Sequence, residues 1–198
     1  MSEIRIRPAA KTDAKMIAEL SLVAGGGVVE YLLTGLMPGF SVQQMMQFRF
    51  GGDELPFSYL CCSVAEIDGE IAGISNAYSS DYNKIPSSSE KDFIPTDRIN
   101  YLLKPLYKNI IPNSYYLNSI AIFEKFRGKK IGSALLNHVA NEAKQKNFNS
   151  VILHAWTDNT KAIKLYEREG YKIIEHIDIQ RQPLLPHDGG MELMQLFL

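Results

Sequence analysis

Residues Tyr115 to Leu136, YYLNSIAIFEKFRGKKIGSALL, constrain this chain more than any other stretch. An apolar run of strand character gives way to a short loop and a basic glycine turn, Arg127-Gly128-Lys129-Lys130-Ile131-Gly132. An amphipathic helical pattern follows. The first N–H groups of a helix have no helical partner, and the helix dipole favours negative charge there. A strand feeding such a turn therefore builds an anion cradle, suited to a phosphate or pyrophosphate.

A length of 198 residues suits one domain with a substantial core. The 21 basic and 22 acidic residues nearly cancel, which argues against a general nucleic-acid or anionic-membrane binder. The opening MSEIRIRPAA has no signal-peptide pattern, and no apolar run is long enough to span a bilayer. Cys61 and Cys62 are sequence neighbours, too constrained for an ordinary disulfide and too few for a metal site. They read as buried strand thiols in a soluble, reducing, cytoplasmic protein, with no metal expected.

Alternation predicts a first strand over Ile4 to Arg7, stopped by Pro8, and a helix through Met16, Ile17 and Leu20 capped by Thr12 or Asp13. Gly25-Gly26-Gly27 breaks that helix, and further helical segments are expected over Val28 to Leu33 and Val42 to Phe50. Ser58 to Ile67 and Glu70 to Ala77 read as strands joined by the two-residue turn Asp68-Gly69. The pattern lapses from Ser79 to Asn113, a probable insertion with one helix around Asn100 to Tyr107. Ile131, Leu135, Val139 and Ala143 then share a helix face. A strand over Val151 to Trp156, a helix over Thr160 to Glu169 stopped by Gly170, and strands over Tyr171 to Ile179 and Met191 to Leu198 complete the order. The class is mixed α/β (α+β), with hairpins early and strand-helix-strand units late.

The turn at Arg127 to Gly132 and the segment DNTKAIKLYEREGY, Asp158 to Tyr171, are each weak signals alone. In this order, with a strand and a helix between them, they resemble the GCN5-related N-acetyltransferase (GNAT) family. The opening IRIRPAAKTDAKMIAEL is similar to that family's usual start. The resemblance covers Tyr115 to Ile174 and the N-terminal segment, and fades through Val28 to Asn113 and after Ile179. It implies the GNAT fold: a mixed central sheet with splayed strands, flanked by helices, in a single domain over residues 1–198. It also implies transfer of an acetyl group from acetyl-CoA to an amine, on a small molecule, a peptide or a protein, by a monomer or homodimer.

The family likeness carries roles onto particular residues. Ile120, Ala121 and Ile122 match the strand edge that offers backbone groups to the pantetheine arm. Arg127, Gly128, Lys129, Lys130, Ile131 and Gly132 match the pyrophosphate loop, with Ser133 just inside the helix. Asn159 matches a residue on the pantetheine side, Ala162 one lining the splayed strands, and Tyr166 the tyrosine beside the thioester sulfur. Two departures stand out: Lys130 replaces a usual glycine, and Asn118 stands where many relatives carry a proton-relaying glutamate.

The implied mechanism is direct transfer, with a backbone N–H near Ile122 on the oxyanion and Tyr166 protonating the departing thiolate. His154 reads either as a packed, hydrogen-bonded histidine or as the general base. Trp156, His187 with Asp188, and Glu30 with Tyr31 are second-rank candidates around the acceptor. A non-catalytic acyl-CoA sensor or interaction module is the alternative that Asn118 and Lys130 keep open. A nucleotide-phosphate enzyme is a third, although the turn lacks the Gly-Lys-Ser/Thr ending of such a loop.

Overall fold

The computed structural model describes residues 3–83 and 94–198. Ten residues of the expected 79–113 insertion, 84–93, lie outside the described residues. Seven strands form one sheet in the order β1-β2-β3-β4-β5-β7-β6. They are β1 (Ile4–Pro8), β2 (Cys62–Ile67), β3 (Glu70–Ser79), β4 (Ser114–Ile122), β5 (Ser150–Trp156), β6 (Lys172–Ile177) and β7 (Met191–Phe197). Every neighbouring pair is antiparallel except β4 and β5. The helices are α1 (Ala14–Gly25), α2 (Val28–Leu33), α3 (Val42–Phe50), α4 (Thr96–Arg98), α5 (Lys104–Tyr107), α6 (Ile131–Gln145) and α7 (Thr160–Arg168). A π-helical stretch, Ile99–Leu103, joins α4 to α5.

Local chemistry explains most boundaries. Asp13 does not cap α1 directly; its carboxylate accepts the Ala10 N–H at 2.7 Å and the Arg7 guanidinium at 2.7 Å, tying β1 to the helix start. Ser41 and Gln44 form a reciprocal capping box on α3. Asp68 and Gly69 both adopt positive φ, as a two-residue hairpin between β2 and β3 requires. The strand expected from Ser58 begins only at Cys62. The Ser58 hydroxyl accepts from the Leu60 N–H at 3.2 Å and donates to the Gly52 carbonyl at 2.6 Å, which curls Tyr59–Cys61 into a 3-10 turn. Cys61 is thus a half-buried turn residue, while Cys62 is a buried strand thiol; both are free.

The core forms on both sheet faces. Ile17, Leu20, Met46 and Phe50 from α1 and α3 pack on Val64 and Ile74. The predicted α6 stripe packs on the other face, where Leu136, Val139 and Ala143 meet Leu117, Val151 and Leu153. The central strands bury alternate residues on opposite faces, which is why β4 and β5 read as continuous apolar runs.

One seam is incomplete. β4 pairs with β5 only over Ser114–Tyr116 against Ser150–Ile152, although both strands run on. On its other side β4 follows β3 through to Ile122, with a register shift at Asn76/Ala77. Ala77 faces Leu117 and Asn76 faces Ser119, so Asn118 is the extra residue of a β-bulge. The bulge bends β4 away from β5. Gly73 lets β4 approach closely here, since a Cβ on it would lie 2.8 Å from the Ala121 carbonyl oxygen. Gly73→Ala should therefore displace β4 and destabilise the protein by roughly 1–3 kcal/mol. Thermal melting checks this, and an unchanged midpoint would show that the ladder relaxes without cost.

Candidate active site

Where β4 and β5 part, side chains from the sheet and its helices enclose a cavity of about 1100 Å³. Asn118 and Ser119 of β4 line it together, although successive strand residues normally face opposite ways; the bulge turns both inward. His154 and Trp156 of β5 and Tyr166 of α7 line the opposite side. A second cavity, of about 630 Å³, lies at the start of α6 and is bordered by Ile122, Lys130, Gly132, Ser133 and Arg168.

The second cavity lies where the sequence predicts an anion cradle. Lys130 sits at the N-cap of α6 with φ 64° and ψ 15°, and no side chain caps the helix. Ala134 N–H is the first to bond back, to the Lys130 carbonyl at 3.1 Å, so the amides of Ile131, Gly132 and Ser133 have no helical partner. Gly128, with φ 80°, borders the same space. Arg127 and Lys129 are exposed and outside the cavity lining; Lys129 Nζ lies 5.2 Å from the Phe126 ring. The Ser133 hydroxyl is already engaged, donating to Glu169 Oε1 at 2.6 Å and accepting from Arg168 at 3.3 Å.

The strand edge is more selective than expected. Phe123 N–H bonds the Ala72 carbonyl at 2.9 Å, so in the β3–β4 register Ala121 also directs its backbone groups toward β3. Ile120 and Ile122 direct theirs the other way, into the opening left by β5. Of the three residues expected to present backbone groups, Ala121 is therefore turned away.

Asn118 belongs to a neutral network. The Tyr78 hydroxyl donates to Asn118 Oδ1 at 3.1 Å, and Asn118 Nδ2 donates to Asn76 Oδ1 at 3.1 Å. Asn76 in turn donates to the Cys61 carbonyl at 3.2 Å. Both amides are consumed in fixing the bulge. Asn159 is the N-cap of α7, its side-chain Oδ1 accepting the Ala162 N–H at 3.3 Å, and both residues line the large cavity.

Tyr166 is 8% exposed and burial pushes its phenol up to about 12, so it enters the cavity as a protonated hydroxyl. His154 lies with its Nδ1 3.0 Å from the Tyr116 hydroxyl, and its Nε2 is sealed from solvent with no partner among the described residues. Burial lowers its pKa from 6.5 to about 4, against a smaller upward pull from the Leu106 backbone. The ring is thus neutral where amines react and accepts protons poorly, which counts against the general-base expectation. Ser21 Oγ, Asn83 Nδ2 and Ser119 Oγ are likewise buried without partners among the described residues, and all three border the cavity. Native interiors rarely leave such atoms unsatisfied, so they fit a wall that bonds a ligand.

The second-rank candidates divide. Trp156 lines the cavity, donates to the Gly25 carbonyl at 3.3 Å and stacks on His187 at 4.6 Å. His187 Nδ1 lies 2.7 Å from the Asp158 carboxylate, and Asp188 N–H donates to the same group, so this pair closes the loop before β7. Glu30 and Tyr31 are outside the lining. Among the described residues no group of three metal-ligating side chains gathers, and no helix is long and apolar enough to cross a membrane. Ser119, Tyr78 and Asn76 were not singled out in the sequence; their place depends on a bulge that has no local signature.

The family model for the acetyltransferase (GNAT) family matches residues 38–171. A Drosophila melanogaster protein named "Probable N-acetyltransferase san" is 31% identical over 75 residues, which cover 37% of this chain and 41% of that relative. A crystal structure titled as an acetyltransferase superposes with a TM-score of 0.68 at 26% identity, covering 98% of each chain. An N-acetyltransferase structure from Staphylococcus aureus Mu50 gives a TM-score of 0.68 at 21% identity, over 97% of this chain and 100% of that one.

The low pKa of His154 has a consequence for folding. Because the folded value lies below the unfolded one, its contribution is complete above pH 6.5 and is lost as pH falls toward about 4. The loss should reach on the order of 3 kcal/mol. Melting of the native protein and of His154→Gln between pH 7 and 4 checks this; equal losses in both would place the titrating group elsewhere.

Proposed function

The chain belongs to the acetyltransferase (GNAT) family and is an N-acetyltransferase; from that premise we propose that it uses acetyl-CoA and transfers the acetyl group directly to an amine held in the large cavity. The observation that carries the reading is the open seam between β4 and β5, bordered at one end by the uncapped α6 and at the other by Tyr166. An unsatisfied helix N-terminus suits a diphosphate, and outward-facing strand groups suit an amide-bearing arm.

The amides of Ile131, Gly132 and Ser133 bind the diphosphate, with Lys130 and Arg168 adding charge at the rim. Ile120 and Ile122 hold the pantetheine amides as an added strand, and Asn159 and Ala162 shape the other wall. Bound acetyl-CoA supplies the acetyl group as a thioester and leaves as the free thiol. Backbone N–H groups of the Ile120–Ile122 edge stabilise the oxyanion that forms when the amine nitrogen attacks the carbonyl carbon. As the C–S bond breaks, Tyr166 gives its proton to the sulfur and regains one, through water, from the new amide nitrogen.

Among the described residues, no side chain at the seam is a strong base. Asn118 is neutral, and His154 has a pKa of about 4. The low-polarity wall supplies the substitute, because desolvation favours the neutral form of an entering amine. Positioning the neutral amine against the thioester then provides several kcal/mol of barrier reduction.

Free thiol release, followed with acetyl-CoA and a panel of amines, tests the reading; heat with CoA but no thiol under any acceptor would favour the sensor instead. Tyr166→Phe should lower kcat roughly a hundredfold to ten-thousandfold with acetyl-CoA affinity nearly intact. An unchanged kcat would remove Tyr166 from the mechanism. The acidic limb of kcat/KM should follow the pKa of the acceptor across a series of amines and persist in His154→Gln. A limb fixed at one pH for all acceptors would show that an enzyme group sets it.

A further inference from the structure

We propose that the acceptor is a primary amine on a short alkyl arm of an aromatic ring, its ring seated against a run of edge-to-face side chains in the large cavity. This deepens the acetyl-transfer reading and rests on it. Phe57, Tyr78, Tyr82, Tyr107 and Tyr116 all line the cavity and form one connected set. Phe57 meets Tyr78 at 6.2 Å and 69°, and Tyr82 meets Tyr78 at 6.1 Å and 90°. Tyr78 meets Tyr116 at 5.6 Å and 58°, and Tyr116 meets Tyr107 at 6.4 Å and 89°. Rings prefer tilted and edge-on neighbours because their faces are negative and their edges positive. A surface already tiled this way offers a further ring the same geometry, which an aliphatic chain cannot use.

Val28, Val29 and Leu32 of α2 and Leu103 at the end of the π-helical stretch add an aliphatic part to the same lining. Such a lining suits an apolar body better than a solvated chain. The charges agree. Glu54 and Asp81 line the cavity and attract an ammonium group. Arg49 lies over the Phe57 ring at 4.6 Å; burial lowers its pKa while the nearby Glu54 charge pulls it up. Deeper in, burial keeps the Tyr78 and Tyr116 phenols protonated and the His154 ring neutral.

The test compares 2-phenylethylamine and tryptamine with n-butylamine, spermidine and a short unblocked peptide. It uses two readouts: thiol release with acetyl-CoA, and calorimetric titration of the amines into the CoA-saturated protein. The aromatic amines should exceed n-butylamine about tenfold in kcat/KM and in affinity, at the upper range of one aromatic contact. Phe57→Leu should shrink that ratio toward one while CoA affinity, measured separately, holds. Equal or better performance by n-butylamine, spermidine or the peptide overturns the aromatic acceptor and leaves acetyl transfer standing. Thiol release with no amine, but tighter binding of 2-phenylethylamine than of n-butylamine, supports the aromatic seat and overturns the transfer reading. Absence of any preference in the titration overturns the seat whatever the turnover shows.

Discussion

The half-made ladder between β4 and β5 is the constraint on which the rest of the structure depends. Three residue pairs hold the two strands together, and beyond Tyr116 and Ile152 they separate. Their outer ladders run on past the parting, β4 against β3 to Ile122 and β5 against β7 to Trp156, so the gap has stiff walls. A buried backbone group without a partner is costly in any fold. The outward groups of Ile120 and Ile122 therefore make the seam a place that wants an extended, amide-bearing occupant or ordered water. What keeps it open is equally specific: an extra residue in β4, two asparagines spent on holding that residue, and a glycine in β3 where a side chain would not fit.

Most of the fold was legible because its signals are local. The breaks around α2 and the capping box of α3 set boundaries that the apolar pattern predicts to the residue, Val28–Leu33 and Val42–Phe50. The basic glycine turn marked the start of α6 because a helix N-terminus is written in its own few residues. The bulge was not legible, since it is a property of how β4 registers on β3. Asn118 therefore read as a missing acid, whereas its amide links Tyr78 to Asn76 across 40 and more positions of sequence. Ser119 and the aromatic wall were hidden for the same reason. The π-helical stretch also escaped, because Ile99–Leu103 differs from an ordinary helix by a bonding offset and not by composition.

The two cavities lie in opposite electrostatic regimes. The one at α6 is rimmed by Lys130 and Arg168 and by free amides, a setting for a strongly hydrated anion. The one at the seam is walled in its depth by groups that burial keeps neutral: raised phenols at Tyr78, Tyr107 and Tyr116, a lowered imidazole at His154. β4 joins them, with Ser119 in the neutral cavity and Ile122 in the charged one. Three strand residues advance roughly 10 Å. In the proposed reading, that length keeps a diphosphate's charge away from the amine.

Lys130 shows how the charged end is poised. A lysine at φ 64° carries a conformational cost that the usual glycine avoids, of order 1–3 kcal/mol for a non-glycine residue in this region. Lys130 also occupies the N-cap position of α6, the end of the helix dipole that favours negative charge. No capping side chain relieves either effect. An anion seated on the Ile131–Ser133 amides would reverse the electrostatic part of this penalty. It would fill the missing cap and supply the counter-charge that the lysine lacks. Two local violations at one residue make poor sense for an empty turn and good sense for a ligand-completed one. The departure from glycine thus fits an anion cradle whose stability depends on being occupied, better than it fits a cradle that has lost its function.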